Sequence, residues 1–146
     1  MTAHRPQRQH SDDAGCDLRA AHSASVWAHW TTTVRTGYCP QKGDIPDGSV
    51  GLVFARSSLH MRGLSLANGV GIIDSGYRGE VLLALRNDVN VPITIDEGER
   101  IAQIVVVPLD LSSTLYAHND TENNPQADSN STQPRGTSGF GSTGRN

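Results

Sequence analysis

A chain of 146 residues with a net charge of −3 has room for one domain with a core of its own and none for a second of ordinary size. That charge supplies no basic field for nucleic acid, so any phosphate recognition must be local and the ligand small. No apolar run approaches the roughly 18 to 20 residues of a membrane span, and the start of the chain lacks a signal peptide's apolar stretch, so the expectation is an intracellular protein with neither a membrane nor a nucleic-acid partner.

Residues 1–13 contain no Val, Ile or Leu and read as a polar N-terminal arm. From Leu18 onward short apolar runs alternate with turn-forming clusters. Strands are expected at Val50–Phe54, Gly69–Ile73, Val81–Leu85, Val91–Ile95 and Ile101–Pro108. Between them lie Lys42–Gly48, Asp74–Gly76, Arg86–Asp88 and Asp96–Gly98, all rich in Gly, Asp, Asn or Pro. Several β segments without a helical period indicate an all-β sandwich or barrel. Ile101–Val107 is apolar on both faces except at Gln103, which predicts a strand buried on both sides in which Gln103 needs hydrogen-bond partners. Cys16 and Cys39 are expected to be reduced in an intracellular setting.

Beyond the β domain (14–116), residues 117–134 contain no aromatic residue, Val, Ile or Leu and read as a flexible linker. It carries a glycine-rich flap (135–146) with the sequence Arg135-Gly-Thr-Ser-Gly-Phe-Gly-Ser-Thr-Gly144. Such tails are often plain linkers. This one also has the composition for a phosphorylated aromatic ligand: close-approaching amides at glycine, hydroxyl donors at Ser142 and Thr143, charge at Arg135 and a flat ring at Phe140. The Gly139–Gly144 match to G-x-G-x-x-G is spurious, since no helix or later acid follows it.

Four further segments sharpen the phosphate reading. Ala14-Gly-Cys-Asp-Leu-Arg-Ala20 places an acid in a tight turn as the first strand begins. Arg56-Ser-Ser58 offers a cation and two hydroxyls after a buried strand. Asn68-Gly-Val-Gly-Ile-Ile-Asp74, continuing through Ser75-Gly-Tyr-Arg-Gly-Glu80, suggests a β-hairpin whose tip presents Asp74 and Tyr77. Gly98-Glu-Arg-Ile-Ala-Gln103 leads into the apolar strand. Each alone is weak, because Asp74 and Gly76 are ordinary turn formers, Arg56 an ordinary surface cation and Tyr77 an ordinary core residue.

In this order, and with the tail, the five segments resemble the motifs of the trimeric dUTP pyrophosphatases, the dUTPases. The resemblance runs from about Ala14 to Gly144 and omits the arm and the linker. It implies a β jelly roll, a homotrimer with shared active sites, and conversion of dUTP and water to dUMP and pyrophosphate by in-line attack on the α-phosphorus, with Mg2+ as cofactor. By the same resemblance Asp74 is the catalytic residue that orients and deprotonates the water. Asn68, Gly71, Ile72 and Ile73 would bind uracil through backbone and amide, with Leu82 as a wall against the thymine methyl. Tyr77 would lie under deoxyribose and exclude a ribose hydroxyl. Arg56, Ser57, Ser58 and Gln103 would hold phosphate oxygens, and Asp17 would support the metal through its waters. Arg135 would clamp the γ-phosphate, Phe140 would stack on uracil, and Gly141, Ser142 and Thr143 would wrap the phosphates on closure.

Departures from the family pattern are Cys16, Ala55 before Arg56, and an arm unable to supply the usual apolar first strand. Trp27 and Trp30 flank His29 where a plain strand and turn are usual. Packing on one face or at an interface is the ordinary reading of such a pair, and a protein-binding patch for a regulatory partner is the alternative. Two rival functions lack residues or fail to account for those present. A dCTP deaminase would need a glutamate where Ala84 stands, and a purely regulatory relative would have no need of Asp74, Gln103 and the tail together. The His residues show no metal-ligand spacing.

Overall fold

The computed structural model describes residues 5–112. Nine strands and one short helix follow in chain order: β1 (Cys16–Arg19), β2 (Ala24–Val26), β3 (Thr31–Arg35), β4 (Ser49–Ala55), α1 (Ser57–His60), β5 (Leu64–Leu66), β6 (Gly71–Asp74), β7 (Leu82–Asn87), β8 (Ile93–Ile95) and β9 (Arg100–Pro108). The expected all-β jelly-roll architecture is borne out as an open sandwich. Its strands form a four-stranded sheet in the order β1-β9-β4-β6, a β2-β8 pair and a β3-β7-β5 sheet.

Alternation along each strand decides which face turns inward. In β7, Leu83, Leu85 and Asn87 are buried while Leu82 and Ala84 are half-buried and Arg86 is exposed. In β4, Gly51 and Val53 face the core. One apolar cluster draws Leu18, Val53 and Ile104 from the large sheet, Val26 and Ile95 from the pair, and Val34, Leu64, Leu83 and Leu85 from the third sheet. Each such side chain contributes roughly 1.5 to 3 kcal/mol of burial. Gly51 is part of the fit, since a Cβ there would stand 2.9 Å from Ile45 Cδ1 and 3.0 Å from Ile104 Cδ1.

Two polar side chains inside this core are fully satisfied. Thr36 Oγ1 donates to Val81 O at 2.6 Å and accepts from Tyr38 N at 3.2 Å. The Asn87 amide donates to Val26 O and Val91 O at 2.9 and 2.8 Å and accepts from Val89 N at 2.9 Å. Asn87 thereby ties the β2–β3 turn to the β7–β8 loop.

Several expectations need correction. Asp17 lies within β1, opposite Gln103, rather than in a turn before it. The polar arm covers part of the edge left by the missing apolar strand: Gln7 bridges to Asp17, and Asp17 N donates to Gln7 O at 2.8 Å, backbone bonds that need no apolar side chain. The segment 68–80 is no hairpin. Leu64–Leu66 pairs with β7 and Gly71–Asp74 with β4, so residues 67–70 cross between sheets. β9 is buried on both faces only in its first half: Ile101, Ala102 and Ile104 are buried, but Val106 is 42% exposed. Trp27 and Trp30 stand outside the core, at 62% and 66% exposed, so packing at an interface or a binding patch is what is left of their two readings. The cysteines are free, as expected.

Candidate active site

The large sheet carries two groups of candidate residues. At one end, antiparallel pairing of β1 with β9 and of β9 with β4 sets Asp17, Gln103 and Phe54 side by side. Arg56 leaves β4 two residues later, and Ser57 and Ser58, both exposed, open α1. The Asp17 carboxylate is 6% exposed and held from two sides. Arg56 Nη1 donates to its Oδ1, and Arg100 Nη1 to its Oδ2 at 3.4 Å. Gly15 keeps this corner open for Gln103, whose Oε1 would lie 3.1 Å from a Cβ on that glycine.

Arg100 is a residue that sequence reasoning quoted within Gly98–Gln103 but gave no task. Its signal is register: Arg19 pairs with Arg100 while Asp17 pairs with Gln103, which sets a cation beside the acid. Among the described residues no group of three His, Cys, Asp or Glu side chains could hold a metal ion. A divalent cation near Asp17 would meet a single carboxylate there, and an anionic ligand such as a triphosphate would supply further oxygens. That fits a carboxylate whose oxygens already accept from two guanidinium groups and which has no part free to act as a cage.

The second group gathers on β6. This strand is the sheet's edge, paired with β4 on one side and with no strand on the other among the described residues. Gly71 permits the close approach, because a Cβ there would stand 3.1 Å from Val53 Cβ. The Asn68 amide nitrogen lies 3.8 Å from that same Cβ position. Ile72 is 70% exposed and Ile73 half-buried against the core. Asp74 ends the strand, exposed, and its carbonyl accepts from Tyr77 N at 3.0 Å. Arg78 Nη1 clasps the turn by donating to Ser75 O and Tyr77 O at 2.8 and 2.7 Å. The Tyr77 hydroxyl donates to Glu80 O at 2.9 Å, and burial pushes the phenol's pKa up, with Cys39 and Glu80 adding to it. Leu82 opens β7 on the face away from the core.

These groups do not meet within one chain. Asp74 pairs with Val50, whereas Arg56 lies six positions further along the same extended segment, about 20 Å away at roughly 3.3 Å per residue. Asp74 and Arg56 therefore cannot both touch adjacent phosphates of one ligand unless a second copy of the chain brings its own end of the sheet. Arg135, Phe140, Gly141, Ser142 and Thr143 lie outside the described residues, as do the linker 117–134 and residues 1–4 of the arm.

Comparison with known proteins accords with this geometry. The sequence model of the dUTPase family matches residues 1–144. Deoxyuridine 5'-triphosphate nucleotidohydrolases of Mycobacterium marinum and Tropheryma whipplei are 41% and 37% identical over 141 and 142 residues. They cover 95% and 96% of this chain and 86% and 88% of their own lengths. The crystal structure of a Streptococcus mutans dUTPase superposes with a TM-score of 0.66 at 30% identity, over 71% of this chain and 84% of its own. A dUTPase mutant from Staphylococcus aureus phage phi11, described as coordinating a structural Mg(II) ion, has a TM-score of 0.66 at 25% identity over 73% of this chain and 84% of its own. With a family match over nearly its whole length and relatives near 40% identity, this chain belongs to the dUTPase family.

Proposed function

We propose that this protein hydrolyses dUTP to dUMP and pyrophosphate as a homotrimer whose active sites are shared between subunits. The observation that carries the reading is the open edge of β6, with Asp74 exposed at its end and Tyr77 one turn beyond. An edge strand offers unpaired backbone N–H and C=O groups. The uracil ring has the alternating carbonyl and N–H edge that such a strand pairs with, and the Asn68 amide completes it. Cytosine would meet a donor where an acceptor is needed, a mismatch of roughly 1 to 3 kcal/mol.

Asp74 then accepts a proton from the attacking water and holds its oxygen in line with the α-phosphorus. Tyr77 supports the deoxyribose, and Leu82 stands against a thymine methyl. Arg56, Ser57, Ser58 and Gln103 from a second subunit hold phosphate oxygens, a reading supported by the separation of Arg56 from Asp74 along β4. Bound Mg2+ would supply charge neutralisation on the triphosphate, and Asp17 would hold its waters once Arg56 exchanges the carboxylate for phosphate. Arg100 keeps Asp17 oriented during that exchange. Arg135, Phe140 and Gly141–Thr143, reached through the 117–134 linker, close over the ligand. A coil of that length spans roughly 23 Å, and closure would exclude water from the charged site. Exposed Ile72, Val106 and Leu111 give a trimer apolar surface to bury. An intracellular location belongs to the same proposal.

The test is pyrophosphate release from dUTP, dCTP, dTTP and UTP with magnesium, for the full chain and for Asp74→Asn. The expected result is release from dUTP alone, lowered roughly 10²- to 10⁴-fold by the substitution. Ammonia from dCTP, or dUTP turnover untouched by Asp74→Asn, would sink the reading.

A further inference from the structure

We propose that Arg35 and Glu80 are positioning residues that hold the Tyr77 ring against the sugar, and so set the discrimination between deoxyribose and ribose. This rests on the sugar-supporting role given to Tyr77 above.

Tyr77 lies in a stretch without regular structure between β6 and β7, and its hydroxyl is fixed by the carbonyl of Glu80. The ring is therefore placed only as well as the Glu80 main chain is. Glu80 is gripped from the end of β3. Arg35 presents a fork, with Nε donating to Oε2 at 2.8 Å and Nη2 2.7 Å from the same oxygen. Gly37 N donates to Oε1 at 2.7 Å, from a turn in which Gly37 takes a φ of 68° that favours glycine. The next residue is held as firmly: Val81 N donates to Tyr38 O at 2.8 Å, and Val81 O accepts from the buried Thr36 hydroxyl. Residues 35–38 thus clamp residues 80 and 81, and the clamp ends on the tyrosine hydroxyl.

The energetic worth of the ion pair is small, because the Arg35 side chain is 46% exposed and screened. Its worth is geometric. Rejecting one hydroxyl group depends on a ring position accurate to a fraction of an ångström, and misplacement by about 1 Å costs far more in a transition state than in overall stability. The Glu80 side chain, only 16% exposed, has no loose alternative once its partners are removed. Neither Arg35 nor Glu80 is on the open β6 edge, so substituting them alters ring placement without removing a ligand contact.

The experiment measures kcat and KM for dUTP and the inhibition constant for UTP. It uses full-length wild type, Glu80→Gln, Arg35→Ala, Arg35→Lys, Tyr77→Phe, Tyr77→Ala and the double variant Glu80→Gln with Tyr77→Phe. The expected result is a roughly fivefold to tenfold fall in the ratio of UTP inhibition constant to dUTP KM in Glu80→Gln, Arg35→Ala and Tyr77→Phe. The double variant should be no worse than either single, since both act through one contact. Arg35→Lys keeps the charge and one donor, should retain part of the selectivity, and serves if Arg35→Ala does not fold. A ratio unchanged in Glu80→Gln and both Arg35 variants, while Tyr77→Phe lowers it, overturns the clamp and leaves the role of Tyr77 standing. A ratio unchanged even in Tyr77→Ala overturns the sugar-supporting role and the clamp together.

Discussion

Replacing Asn87 by alanine tests whether buried polar satisfaction, rather than apolar burial alone, holds the end of β2 to the β7–β8 loop. Asn87 is 0% exposed, and its amide makes three hydrogen bonds to backbone atoms on both sides of the β7 end. Alanine leaves two carbonyls and one N–H without that partner. At about 1 kcal/mol each, the expected loss is about 3 kcal/mol, with a small cavity adding to it. For a domain of this size about 3 kcal/mol corresponds to a fall in Tm of roughly 10 to 20 °C. The assay is thermal and urea unfolding by circular dichroism at one fixed subunit concentration, because oligomerisation makes Tm concentration-dependent. Asn87 lies at the far end of β7 from Leu82, so kcat for dUTP at 25 °C should stay within about twofold for the folded variant. A loss below about 1 kcal/mol would show that water or relaxed loops satisfy these groups as well as the amide does, and would refute the reasoning.

Gly51→Ala should destabilise by about 1 to 3 kcal/mol through overpacking against Ile45 and Ile104, and Gly51→Ala combined with Ile104→Val should recover part of it; urea midpoints decide. Burial pushes the Glu80 carboxyl up, but the bonds from Arg35 and Gly37 outweigh it and hold the pKa below the ordinary 4.5. The stability this supplies is complete above that ordinary value and is lost as pH falls through the lower folded value. Tm measured from pH 6 to pH 3 should therefore fall less steeply in Glu80→Gln than in wild type, and parallel curves would contradict the assignment. Trp27→Ser with Trp30→Ser removes two side chains that are 62% and 66% exposed and should change stability by no more than about 0.5 kcal/mol per site. A pull-down that loses a partner with this variant and keeps it with Asp74→Asn would support a regulatory surface, and an unchanged partner set would dismiss it.

Several features were legible in the chain itself. The apolar runs at residues 50–54, 81–85 and 101–108 read as strands because they are short and bounded by clusters of turn-forming residues. The five segments around Asp17, Arg56, Asp74, Gln103 and the glycine-rich tail, taken in order, carried the resemblance to the dUTPase family, because glycines, hydroxyls and charges at fixed places in a chain form a pattern that needs no structure to be read. β3 was less visible: its threonines favour extended backbone, yet Val34 alone is buried, so little periodicity marks it. Only the tertiary structure could decide what depends on pairing between distant segments. It separated β5 from β6 into different sheets, exposed the tryptophans, made β6 an edge, placed Arg100 beside Asp17 and brought Arg35 onto Glu80. The sequence records which side chains are present and how they alternate. Register across strands, which sets a partner 45 or 83 residues away within hydrogen-bond distance, is fixed only when all the sheets pack on one core.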